Sequence, residues 1–260
     1  MKIVNKSGIP DALFRYLSQD NYDYEKKGDS FSATELLNPI QIIILKRRHW
    51  KDITVDAIDQ LWKLLGSGVH AILETEQGIE KIERLSIDVL GRKVSGKWDR
   101  IFGDEITDYK VTSAWTMVYG SREHEWRLQL SIYRYLYHKC KGVFLRPHGY
   151  IVALLRDWAA RDAKKMNYPK APAVQVKLEL LSIEDTEAFI TGRIKAIIEA
   201  EALPDAKLPE CSDEDRWYNA TKKTYMRCAK YCEVAKFCGQ LAREKARESV
   251  ELAEVVGAEE

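Results

Sequence analysis

Asp99, Asp108 and Lys110 are the residues whose types and spacing point most directly to chemistry. They lie between Val94 and Val111, where Gly103-Asp104 separates two apolar-alternating runs and predicts a tight hairpin reversal. A hairpin centred there sets Asp99 opposite Asp108. Carboxylates on directly opposed strand positions, with Cβ atoms roughly 5 Å apart, repel each other unless positive charge lies between them, and a divalent cation is the natural candidate. Lys110 follows Asp108 by two residues and projects from the same sheet face. Two carboxylates holding a hard cation that polarises a phosphoryl oxygen and activates water, with an ammonium to orient that water, are the requirements of phosphodiester cleavage. A solvated surface strand carries such charges too, so the hairpin alone leaves both readings open.

The elements that must position these residues come before and after the hairpin. Upstream, Gly66-Ser67-Gly68-Val69-His70 falls inside an apolar-periodic stretch from Ile58 to Leu73 that reads as a helix entered at Thr54. Its glycines would let backbone or substrate approach closely beside His70. Downstream, Gln129 and Tyr133 stand four residues apart in a helical pattern from Glu125 to Tyr137 and share one helix face. Each also has a plain structural reading, His70 as a satisfied core or surface residue and the pair as a half-buried polar stripe.

Taken in order, these pieces resemble the PD-(D/E)XK nuclease superfamily and, within it, the RecB-type exonuclease branch that includes CRISPR-adaptation and phage or prophage nucleases. The resemblance runs from about Ser32 to Cys238 and implies a restriction-endonuclease-like core that cleaves DNA with Mg2+ or Mn2+. It implies that His70, Asp99 and Asp108 are metal ligands, that Lys110 is the catalytic lysine, and that Gln129 and Tyr133 line the site and contact DNA. Trp98 stands where the family's literal motif has proline. Glu83 is a further acidic candidate on the preceding strand.

Four of the five cysteines, Cys211, Cys228, Cys232 and Cys238, crowd the carboxyl end. Cys140 is expected to pack as a small apolar residue at its helix end. The start, Met1 to Gly8, has no apolar stretch of signal-peptide length, so a reducing bacterial or phage-infected cytoplasm is expected, where clustered thiols favour metal over disulfides. The intervals of sixteen, three and five residues lack a Cys-x-x-Cys knuckle, which makes zinc the lesser option. The resemblance implies a 4Fe-4S cluster, with Cys228, Cys232 and Cys238 as its terminal trio and Cys211 nearer than is usual for the first ligand. Either metal would pin the terminal segment structurally.

Composition bounds the rest. A formal net charge of +1 argues against a protein that coats DNA by charge alone, so DNA contact must be local. Candidates are Lys46-Arg47-Arg48-His49 with Trp50 and Lys51, and Arg92, Lys93 and Lys97 beside the hairpin; solvated helix ends and strand edges are the alternative. The Ile40 to Leu45 run is far too short to span a membrane. A helix is predicted around Glu35 to Arg48, its start delayed by Pro39, and a single strand over Glu83 to Val94. Strands follow at Gly149 to Leu155 and Val174 to Leu181, then a helix from Ser182 to about Glu201 and, from Gly239, a charged helix ending in a disordered acidic tail. The fold class is mixed α/β, a central mixed sheet flanked by helices, with a nuclease core over 1–203 and a cysteine-rich metal-binding segment over 204–260. The expected activity is DNA hydrolysis in recombination, repair or phage replication, with partners from those processes. The alternative is a catalytically idle DNA-binding or assembly subunit.

Overall fold

The computed structural model describes residues 1–18, 29–73 and 83–257. Two compact units emerge: Asn5–Leu37 with Asp56–Ile194, and Met1–Val4 with Asn38–Val55 and Lys195–Glu260. The architecture is mixed α/β, with mixed sheets flanked by helices. No helix among the described residues is long and apolar enough to cross a membrane.

The larger unit is organised by a four-stranded sheet in the order Arg100–Phe102, Glu105–Thr112, His148–Leu155, Ala173–Glu179. Its outer pairs are antiparallel and its central pair is parallel. A parallel pair cannot be joined by a tight turn, and the Glu123–Lys141 helix lies in the crossover that joins these two strands. Along His148–Leu155 buried and half-buried residues alternate, as a pleated strand with one face on the core requires. The crossover helix buries Trp126, Leu130, Ile132, Tyr133 and Leu136. It ends at Gly142, whose φ of 70° is the left-handed conformation that glycine adopts without steric cost.

The hairpin turns at Gly103-Asp104, with Arg100 opposite Thr107, Ile101 opposite Ile106 and Phe102 opposite Glu105. It is shorter than the sequence pattern suggests, because Val94 belongs to a separate three-stranded sheet. There the expected single strand over Glu83 to Val94 is two strands, Leu85–Val89 and Arg92–Gly96, folded back on each other. Leu90 and Gly91 turn the chain at φ values of 50° and 76°, the positive pair that two-residue hairpin loops demand. Leucine is an unusual occupant of that position, so the turn carries no signal in composition. Ser30–Ser32 completes the sheet, parallel to Arg92–Gly96.

The helix expected from Thr54 begins later. Thr54–Asp56 is extended, Asp56 accepts a hydrogen bond from the Ile58 N–H as a cap, a tight turn follows at Ala57–Gln60, and the α-helix spans Leu61–Leu73. Pro39 likewise divides the helix expected over Glu35 to Arg48. Ala33–Leu36, capped by Ser32, falls in the larger unit, and Ile40–Arg48 in the smaller one.

The smaller unit contains the Ile40–Arg48 and Gly239–Gly257 helices and several short elements between Asp205 and Phe237. The basic run offered as a DNA contact is engaged internally here. Arg48 and His49 each lie 2.6 Å from Asp205, Lys46 lies 2.8 Å from Glu233, and the His49 ring stacks on Phe237 at 3.9 Å. The expected acidic tail at 258–260 lies outside the described residues.

Candidate functional site

The site is built on the Glu105–Thr112 strand. Asp108 and Lys110 share a face, and the Lys110 Nζ lies 2.5 Å from Asp108 Oδ2. Asp108 is 2% exposed. Its Oδ2 is met by this lysine as an ion pair rather than by an aligned hydrogen bond. Burial pushes the Asp108 carboxyl up to about 6, the Asp99 charge adds to this, and Lys110 and His70 oppose it.

Asp99 stands in a bend one residue before the Arg100–Thr107 pair. Its Oδ2 accepts a 2.7 Å hydrogen bond from the Tyr109 N–H. Its Oδ1 lies 2.7 Å from His70 Nδ1. His70 sits in the last turn of the Leu61–Leu73 helix, which packs against the Glu105–Thr112 strand. The Asp99 hydrogen bond raises the His70 pKa, desolvation works against it, and the Asp99 and Asp108 charges add to the rise. A Nδ1–H donated to Asp99 leaves Nε2 with its lone pair, the arrangement found where a carboxylate orients a metal-binding imidazole.

Gln129 and Tyr133 meet as their spacing predicts: Gln129 Nε2 donates to Tyr133 Oη at 2.8 Å, and both side chains are buried. Burial raises the Tyr133 pKa, and the Asp108 and Asp99 charges add to it, which puts this hydroxyl in the field of the carboxylates. Gly96 makes the approach possible, because a Cβ there would lie 2.8 Å from Tyr133 and Leu136 side-chain carbons. Arg84 also acts on Tyr133 and reaches Ser95 Oγ at 3.4 Å. The sequence pattern missed Arg84; its place just before the Leu85–Val89 strand was the available signal. Glu83, offered as an acidic assistant, instead faces Lys141 at 3.8 Å on the surface.

His70, Asp99, Asp108 and Lys110 thus interact as one electrostatic group. Two carboxylates and an imidazole are the donors that a hard or borderline divalent ion takes, and the unaligned Asp108 Oδ2 suits such an ion. Among the described residues no three His, Cys, Asp or Glu side chains form a closed shell around a metal position. Lys110 contacts Asp108, and His70 contacts Asp99.

In the smaller unit, Cys211, Cys228, Cys232 and Cys238 are half-buried free thiols within one another's electrostatic reach. Burial pushes Cys211 up to about 12, with Asp215, Cys238 and Cys232 adding to the shift. Burial also raises Cys232, and Cys228 and Cys238 add to that rise. Gln41 is buried and its Oε1 accepts from Cys238 Sγ at 3.2 Å and Cys211 Sγ at 3.7 Å. Arg216 Nε donates to Cys228 Sγ at 3.5 Å and the Leu241 N–H to Cys238 Sγ at 3.4 Å. These contacts tie each of the three thiols to a side chain or backbone group of the same unit. Cys140 is exposed in the other unit, with its thiol directed at the Ser86 carbonyl at 3.6 Å, and does not pack as the apolar residue expected.

No family model and no curated relative matches this chain. Among solved structures, the crystal structure of SSO0001 aligns at a TM-score of 0.48 and 17% identity, covering 87% of this chain and 91% of that one. An alkaline exonuclease (LHK-Exo) from Laribacter hongkongensis aligns at a TM-score of 0.35 and 14% identity, covering 66% of this chain and 91% of its own.

Proposed function

We propose that this chain is a divalent-metal-dependent deoxyribonuclease of the PD-(D/E)XK type, an exonuclease of the RecB-like branch acting in recombination, repair or phage replication. The supporting observation is the buried Asp108, paired with Lys110 and facing the Asp99–His70 couple. A carboxyl held at 2% exposure beside a second carboxyl is costly, and a fold keeps such a pair where a cation or a reaction uses it.

Asp99, Asp108 and His70 Nε2 would hold Mg2+ or Mn2+, with the imidazole favouring Mn2+ more than an all-oxygen site does. When bound, the ion would polarise a phosphoryl oxygen and lower the pKa of its water. Lys110, beside Asp108, orients the attacking water and neutralises charge gathering on the phosphoryl oxygens. Water adds to phosphorus, the P–O bond to the leaving sugar oxygen breaks, and that oxygen takes up a proton. Tyr133 and Gln129 would line the site beside the carboxylates. The four cysteines would hold a 4Fe-4S cluster, or zinc, as a structural pin.

The second reading, an idle DNA-binding or assembly subunit, draws on the engagement of His70 and Lys110 with the carboxylates and the lack of a closed three-ligand shell among the described residues. Degradation of end-labelled single- and double-stranded DNA, linear and circular, with Mg2+, Mn2+ or chelator, separates the two. The nuclease reading expects metal-dependent cleavage that falls by about 100-fold or more in Lys110→Ala, the scale of losing one transition-state charge contact. Full activity in that variant, or no cleavage by the wild type, sinks it.

A further inference from the structure

The Leu61–Leu73 helix that carries His70 is apolar in composition, yet none of its residues is fully buried. Trp62, Leu65 and Ile72 are exposed, Trp62 at 51%. The Trp62 ring is not bare: the Arg156 guanidinium lies 4.2 Å from its centroid. The Arg156 backbone N–H donates to the Thr112 carbonyl at 2.9 Å, and Thr112 ends the strand that bears Asp108 and Lys110. The next helix, Ala114–Tyr119, adds exposed Trp115 and Tyr119, whose rings stack at 6.1 Å with an interplanar angle of 24°. Buried Tyr168 meets the Trp115 ring edge-on at 5.9 Å and fixes its attitude.

We propose that Trp62, Arg156 and Trp115 form a stacking platform for the bases of single-stranded DNA, leading the strand into the Asp99–Asp108 site. The substrate class rests on the nuclease reading above; the platform itself rests on these rings. An exposed indole with a guanidinium on its face offers together what a nucleotide takes together, a π surface for the base and a positive charge for the phosphate. A purely apolar partner would gain nothing from the cation. A duplex would gain nothing from the rings, because its base faces are already stacked. Trp62 and His70 are eight residues apart on one helix, about 12 Å along its axis. That is the reach of a few nucleotides at roughly 3.4 Å or more each, so a strand lying on the platform has its scissile phosphate near the carboxylates.

The test measures binding of labelled oligo(dT) and of a blunt hairpin duplex in chelator, by anisotropy and by quenching of tryptophan emission, for wild type, Trp62→Ala, Trp62→Phe and Arg156→Ala. Wild type should bind oligo(dT) with quenching. Trp62→Ala should weaken that binding about tenfold, Trp62→Phe should restore most of it, and duplex binding should change less than about twofold. Arg156→Ala should weaken oligo(dT) binding and flatten its salt dependence. Unchanged oligo(dT) affinity in Trp62→Ala, an equal loss on duplex, or Trp62-dependent self-association without DNA binding each overturns the platform. Cleavage by the wild type alongside unchanged binding in Trp62→Ala removes the platform and keeps the nuclease. Trp62-dependent binding by a protein that cleaves nothing removes the nuclease and keeps the platform.

Discussion

The carboxylate site and the cysteine cluster both gather donors that resist being brought together, but they are held by different means. Asp108 and Lys110 are positioned by strand geometry, a two-residue repeat that puts both on one face, and Asp99, just before the paired strand, is held by the Tyr109 N–H of that same strand. The cysteines come from a loop, a π-turn at Arg227–Tyr231 and the residue flanking a 3-10 turn at Ala235–Phe237. No repeat aligns them. Side-chain anchors do so instead: Gln41 on Cys211 and Cys238, Arg216 on Cys228, and Gln240, which bonds the Cys211 N–H at 3.0 Å and its carbonyl at 3.1 Å. A ladder therefore tolerates loss of a neighbour. A cluster of turns depends on each anchor.

That contrast breaks most visibly at the cysteines. On the proposal that the four thiols hold a structural metal, Cys228→Ser should loosen the whole smaller unit, because such binding is folding free energy worth several kcal/mol. Limited proteolysis should show new cleavage between Pro204 and Gly239, while Lys110→Ala shows none. Equal protection in both variants would mean that the thiols hold nothing.

Gly96→Ala probes the ladder site through packing. The added Cβ would lie 2.8 Å from Tyr133 and Leu136 side-chain carbons, so helix and strand must part. Overpacking of this kind costs about 1–3 kcal/mol, measurable as a shift in the denaturation midpoint.

Asp108→Asn should move stability the other way in metal-free protein. The folded carboxyl sits at about 6 against an ordinary 3.8, so its contribution is fully present below 3.8 and is lost as pH rises through about 6. At neutral pH the ionised buried group is a cost that asparagine removes. A gain on the order of 2 kcal/mol is expected in chelator above pH 7, together with loss of cleavage. A variant no more stable than wild type at any pH would contradict the burial argument.

The smallest effect is expected at Asp205. Hydrogen bonds from His49 and Arg48 hold its carboxyl below the ordinary 3.8, so it contributes stability above that value and loses it as pH falls further. Asp205→Asn should flatten the acid limb of the smaller unit's unfolding below about pH 4 and leave the larger unit's unchanged.

Much of the larger unit is legible in the order of its residues. The turn at Gly103-Asp104, the helix carrying Gln129 and Tyr133, and the strands near 148–155 and 173–179 follow from alternation and helical spacing, because each local pattern agrees with the burial its element receives. The Leu90-Gly91 reversal was not legible, since a leucine there looks like one more strand residue. Nor was the internal pairing of Arg48 and His49, because a basic run reads the same whether it faces water, phosphate or Asp205.

The sequence by itself determined which residues share a face: Asp108 with Lys110 on a strand, Gln129 with Tyr133 on a helix. Those relations follow from fixed backbone periods. Only the tertiary structure decided that Asp108 is desolvated, that His70 meets Asp99, that Gln41 reaches two thiols, and that Trp62 lies open beneath Arg156. Burial and through-space contact depend on segments far apart in the chain, and neither has a period to read.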